Sequence, residues 1–231
     1  MAPGTGTIIA LFIAFLLVFI VFPIAICVTV KKMKPHLARD APCPFGHETA
    51  WYVLKDESPY SVIGKLKLDI MTEINWKFGL AKVKEGEKIF VSPCLDGYVL
   101  VIGLTDPARD EVRSHALLFD ELQYFCSRGS VKHYGWAKFQ NHDLIRAYVF
   151  SGMNASGNMA GMEWNEGSFT AEELALGFDK FPAAEAGSSE ENAVTPNEED
   201  VLSIARAWGI DPKFENHSYK KSLGCLCKKT G

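Results

Sequence analysis

The sequence predicts an α+β fold: a single N-terminal transmembrane helix followed by one antiparallel-sheet domain with flanking short helices. Three observations predict it. Thr7 to Val30 holds twenty-four residues without a charge. Strand-like runs then recur in neighbouring pairs, some joined by turn residues. Short segments with helix caps lie between them, the pattern of a sheet covered by helices.

The apolar run sets the organisation. At about 1.5 Å per residue, a helix over 7–30 exceeds the hydrocarbon thickness of about 30 Å, and it satisfies its backbone hydrogen bonds internally, as lipid requires. A cleaved signal peptide fits less well. The head, residues 1–6, carries no Lys or Arg, and the run is longer than a signal's apolar region. Ile26 stands before Cys27 where a lipoprotein signal would place a small residue. Pro23 is of a kind tolerated in membrane helices. Lys31, Lys32, Lys34 and Arg39 follow at once, so the positive-inside rule puts the head outside and the domain in the cytoplasm. Five cysteines beyond Cys27, an odd number, agree with reduced thiols there.

Residues 31–49 form a basic, Pro-rich connector, and 50–212 the domain. Ala50–Lys55 reads as a strand. Ser58-Pro59 starts a helix, as cap and first helical residue, with an apolar stripe at Val62, Ile63, Leu66 and Ile70. A second short helix fits 76–84. Residues 88–92 and 98–103 are strand-like, and Asp96-Gly97 between them is hairpin chemistry, because Gly accepts positive φ. Residues 109–122 carry helical spacing, and 123–126 begin the next strand. The clearest hairpin joins 131–139 to 144–150. A strand at 162–165 precedes a helix over 170–176, capped by Thr170 with Glu173 three residues on. Residues 181–197 have the composition of a flexible acidic loop. Asn197 caps a last helix, 198–208, with acids in its first turn. Residues 213–231 read as a basic, cysteine-bearing tail.

The runs DGYVLVIG (96–103), LQYFC (122–126), GWAKF (135–139), IRAYVF (145–150) and EWNEG (163–167) are similar to an uncharacterised, mostly bacterial protein family. The resemblance spans about residues 51–211 and implies one compact domain. It implies no activity, so no catalytic residue follows from it.

Net charge is −4, unevenly spread. Between Glu163 and Asp200 eleven acids face one base, Lys180, which disfavours nucleic acid. The tail's Lys220, Lys221, Lys228 and Lys229 could touch anionic lipid, with Cys225 and Cys227 open to acylation; the alternative is a solvated terminus. Cys43, His47, Cys225 and Cys227 make up a Cys3His zinc set by composition, but without the usual Cys-x2-Cys spacing. His115, His133, His142 and Glu166 are titratable candidates for acid–base work, and Cys126 with His133 and Glu166 would be the centre of a tethered hydrolase. No G-x-S-x-G, H-E-x-x-H or phosphate loop accompanies them, and no cofactor is expected. Trp164, Asn165 and Glu166 are the candidate binding residues, an aromatic beside polar groups. The function expected is therefore a membrane-anchored, non-catalytic protein-interaction or accessory domain, with the hydrolase as alternative.

The orientation gives a test. On intact cells, an impermeant thiol reagent should leave Cys43 unlabelled until the membrane is permeabilised; labelling beforehand would overturn the assignment.

Overall fold

A computed structural model describes residues 4, 15, 35–86, 88–152, 161–179 and 195–230. The chain divides into two units, Met1–Ala38 and Arg39–Gly231, and the second carries the fold. Apart from Phe15, the apolar run 7–30 lies outside the described residues, as do 180–194 of the acidic segment. No helix among the described residues is long and apolar enough to cross a membrane.

Nine strands are present among the described residues: β1 (Thr49–Lys55), β2 (Leu68–Ile74), β3 (Ile89–Val91), β4 (Tyr98–Leu104), β5 (Glu121–Arg128), β6 (His133–Gln140), β7 (Asp143–Ser151), β8 (Met162–Gly167) and β9 (Gly224–Lys229). They form one antiparallel sheet in the order β2-β9-β3-β4-β1-β5-β6-β7-β8. The helices are α1 (Pro59–Lys65), α2 (Trp76–Lys84), α3 (Arg109–Ala116), α4 (Ala171–Ala175) and α5 (Glu198–Trp208). The class is α+β.

Both faces of the sheet are covered. Trp51, Val53, Phe90, Ile102, Phe125 and Trp136 pack with Trp76 and Leu80 of α2 and with Val201, Leu202 and Ala205 of α5. On the reverse face, Tyr52, Leu54, Val101, Leu122 and Tyr124 pack with Val62 and Ile63 of α1 and Val112 and Ala116 of α3. Central strands therefore read as apolar runs with both sides buried. Leu122, Phe125 and Trp136 are each fully buried, and burying one such side chain is worth about 1.5–3 kcal/mol.

Local chemistry explains most of the boundaries. Ser58 accepts from Ser61 N at 3.4 Å and Asn75 from Phe78 N at 3.1 Å, starting α1 and α2. Thr170/Glu173 and Asn197/Asp200 form reciprocal capping boxes at α4 and α5. The β3–β4 connection turns at Asp96 and Gly97, with φ of 51° and 87°. The β6–β7 hairpin turns at Asn141 and His142, with φ of 50° and 71°. Two successive positive φ values match the right-handed twist of the strands they join.

Three sequence expectations change. The stripe from Val62 to Ile70 is not one helix: Lys67, at φ 52°, turns the chain out of α1 and β2 begins at Leu68. The segment 109–122 stops being helical at Ala116, and Leu122 is a buried strand residue facing the core from β5. The segment read as a tail is not wholly solvated: its end is a strand. Gly224–Lys229 is an interior strand, with Ile70 and Ile89 both opposite Cys227 and Val91 opposite Cys225.

Because β9 joins β2 to β3, removing it strands β2 and opens Ile89 and Val91 to water. Deleting residues 213–231 should abolish the cooperative urea transition followed by tryptophan fluorescence. A transition within about 0.5 kcal/mol of the full chain, the range of a bland surface change, would show that β9 does not complete the sheet.

Candidate functional site

Alternation along β8 splits the predicted Trp164-Asn165-Glu166 surface. Trp164 and Glu166 point to the α3 face, and Asn165 to the other. Trp164 is 3% exposed, under two cations: Arg109 and Arg113 of α3 lie 5.5 and 5.4 Å from its ring centre. Both guanidiniums also bond the Glu166 carboxylate, which is thereby occupied. Asn165 instead accepts from Arg146 Nη1 at 2.7 Å. Arg146 is buried against Glu173, with Nε 2.8 and 2.9 Å from the two carboxylate oxygens. Trp136 Nε1 and Thr170 N also donate to Glu173, at 3.0 and 2.8 Å. Asn165 is thus a structural ligand of a buried ion pair, and the three residues do not make one surface.

The proposed hydrolase residues do not form one constellation. Cys126 is fully buried in β5, and burial pushes its thiol up to about 12, far from the thiolate a nucleophile needs. His133 lines a cavity of about 150 Å³ with Tyr124, Asp106, Glu163 and Trp164 at the start of α3; Cys126 and Glu166 do not line it. His133 Nδ1 stands 3.9 Å from Asp106 and Nε2 3.8 Å from Glu163, beyond hydrogen-bond distance. His133 Nε2 and Trp164 Nε1 are buried there without a partner among the described residues. His142 is exposed in its turn.

The zinc set is also separated. Cys43 packs against the core of the α2/α5 face, whereas Cys225 and Cys227 are buried in that of the α1/α3 face. The sheet stands between them, so the four cannot meet at sulfur–metal distances of about 2.3 Å. His47 pairs with Glu198 of α5. Among the described residues no group of three or more His, Cys, Asp or Glu is placed to hold a metal. Cys225 and Cys227 are also closed to acylation. Burial raises both thiols, Cys227 to about 12. Of the four lysines read as lipid contacts, Lys220, Lys221 and Lys228 are exposed, and Lys229 is engaged with Glu111 at 2.9 Å.

Two cavities had no sequence signal, because each is built from segments far apart in the chain. In the first, about 340 Å³, the Tyr52 hydroxyl and His115 Nδ1 share a hydrogen bond of 3.1 Å, with Leu66, Ile89, Glu111 and Lys229 around them. Burial raises Tyr52 and lowers His115, the latter against the pull of Glu111. Such a pair can hold or pass a proton, but Cys126, the thiol read as a nucleophile, does not line its cavity. The second is a cleft of about 870 Å³ between residues 43–49 and α2, floored by the end of β4. Gly103 in that floor has φ 97°, and a Cβ there would stand 2.5 Å from Lys88 O and 2.8 Å from Val83 Cγ1. Only glycine lets α2 lie this close to β4.

No protein-family model, no curated protein and no solved structure matches the chain.

His115 gives a pH test. Its folded imidazole titrates below the ordinary value of 6.5, so as pH falls through that value the unfolded chain takes up a proton that the folded one refuses. Stability is thus lost on acidification, from the unfolded value down through the folded one. The wild type should lose more stability than His115→Gln between about pH 7.5 and about pH 5, measured by urea denaturation. Equal losses would show that His115 titrates normally.

Proposed function

We propose that the chain is a membrane-tethered, non-catalytic protein-interaction domain whose docking element is the open edge of the sheet at β2. The observation that carries the reading is the exposure of that strand. Among the described residues β2 pairs only with β9, so its outer row of backbone donors and acceptors has no strand partner there. Ile70 and Met71 are each 48% exposed on it, and Tyr60 of α1, 55% exposed, reaches Glu73 of the strand at 3.0 Å. Main-chain bonding along such an edge supplies affinity, and the side chains beside it supply selectivity.

The opposite edge is a poorer template. β8 presents Glu163 and Glu166 and has its Trp164 covered by α3 arginines. Charges of this kind blunt a sheet edge. The register shift at Met71 bends the free edge of β2, which favours an ordered segment able to follow the bulge over indiscriminate pairing. The tether rests on the uncharged run 7–30 and the lysines after it. Absence of turnover rests on the closed Cys126 thiol and on the Arg-bound Glu166 carboxylate.

The test is site-specific photo-crosslinking of the full chain in its native membrane. A crosslinker at Met71 should give a discrete protein adduct, lost on Thr72→Pro, whereas one at Asp143, the first residue of the distant β7, should give none. Proline cannot donate to an added strand. Adducts of equal yield from both positions, or none from Met71, would overturn the reading.

A further inference from the structure

The cleft beside α2 has chemistry of its own, separate from the β2 edge. One wall is the chain leading into β1, with Cys43 and Phe45; the other is α2, with Leu80 and Val83. Ile102 and Leu104 close the floor. Its volume, about 870 Å³, lies within the range of small-molecule sites, which are mostly apolar with a few placed polar groups.

The polar groups differ in whether they are free. His47 is paired with Glu198, and Glu48 binds Ser130 N and Oγ, both at 2.8 Å. Arg128 holds Asp106 at 2.7 Å and Leu104 O at 3.2 Å. Lys77 and Lys84 also line the cleft, and neither ammonium has a partner among the described residues. They stand seven residues apart on α2, about 10.5 Å along its axis, hence on the same side. Both act on the Cys43 thiol, pulling against the burial and the Asp40 carboxylate that raise it, so their charge is felt at the opposite wall.

We propose that this cleft binds a single-chain anionic amphiphile, its carboxylate or phosphate head between Lys77 and Lys84 and its alkyl chain over Val83, Leu80 and Ile102. A bare anion would leave the apolar floor wet. A neutral chain would leave the two like charges unanswered. An amphiphile satisfies both, since each ammonium gains a charge-assisted bond and the chain displaces water from apolar surface.

Cys43 is a built-in reporter, since it lines the cleft, while Cys94 is exposed elsewhere and serves as the internal reference. The experiment follows maleimide labelling of both, by peptide mass spectrometry, on the full chain held in amphipol. Hexadecanoate or hexadecyl phosphate at ten times its dissociation constant should slow Cys43 labelling about tenfold, in proportion to the unoccupied fraction, with Cys94 unchanged. The double variant Lys77→Ala/Lys84→Ala should lose that protection. Both lysines are exposed, so an unchanged Cys94 rate and urea midpoint would confirm that the variant is folded. Three results would each overturn the proposal: no protection by either amphiphile, equal protection by hexadecanol, or equal protection by inorganic phosphate.

Discussion

The sheet closes only when strands from both ends of the domain have been placed inside it. β1 is the fifth of nine strands, between β4 and β5, and β9 lies between β2 and β3. Each needs a partner on both sides to satisfy its backbone groups, and those partners come from distant sequence. Thr49 pairs with Ser127, and Ile89 with Cys227. Pairings of this separation must meet loop-closure entropy before their contacts form, so the domain is built for slow, concerted assembly. The same constraint shapes the surface. With β9 inside, β2 is left as the outer strand. With β1 in the centre, residues 43–49 are carried across the face that α2 covers, and the large cleft opens between them.

At the other side of the sheet a buried ion pair does the joining. Arg146 and Glu173 are both fully buried, and they tie β7 to α4, with Trp136 of β6 and Asn165 of β8 as further partners. Glu173 also closes the α4 capping box, so one carboxylate serves helix initiation and interior pairing together. Such a pair gives little net stability over well-packed apolar residues, but leaving one charge unpaired costs about 3–5 kcal/mol. What it does in this fold is join elements: β7 to α4, with β6 and β8 attached through Trp136 and Asn165. With the pair formed, Arg146 also bonds Asn165 and the Glu166 and Gly167 carbonyls of β8, in a register that sends Trp164 and Glu166 to α3 and the exposed Asn165 to the opposite face.

Charge follows the same division of labour. The arginines of α3 are spent on Glu166 and the Trp164 ring, and Arg128 on Asp106. Lys229 is held by Glu111. Lys77 and Lys84, like Lys67 at the smaller cavity, are cavity-lining cations whose ammonium groups have no partner among the described residues. The thiols divide too. Cys126 and Cys227 are raised to about 12 by burial and act as small apolar residues. Cys43, at a cleft wall beside an apolar floor and two lysines, is raised by burial too but is only partly buried and stays within reach of solvent.

What the sequence determined by itself is what depends on near neighbours. Asp96-Gly97 and the 140–143 turn marked two hairpins, because positive φ is a property of those residues. Ser58, Asn75, Thr170 and Asn197 begin helices because a side-chain oxygen two or three residues away reaches a free N–H. The class of the fold follows from such signals in sequence order. Tertiary structure decided the rest. Gly224–Lys229 carries lysines at its end and only three apolar residues in a row, Cys225 to Cys227, so nothing local separates it from a solvated terminus; β2 and β3 make it a strand. The Val62–Ile70 stripe looked helical by spacing, and the left-handed Lys67 divided it between two elements. Cys43 and Cys227 could be grouped by residue type, but the sheet puts them on opposite faces. Cavities are the extreme case. Tyr52 meets His115, and Cys43 shares a cleft with Lys77 and Lys84, across gaps that no local pattern encodes, because the space between two elements exists only after both have packed.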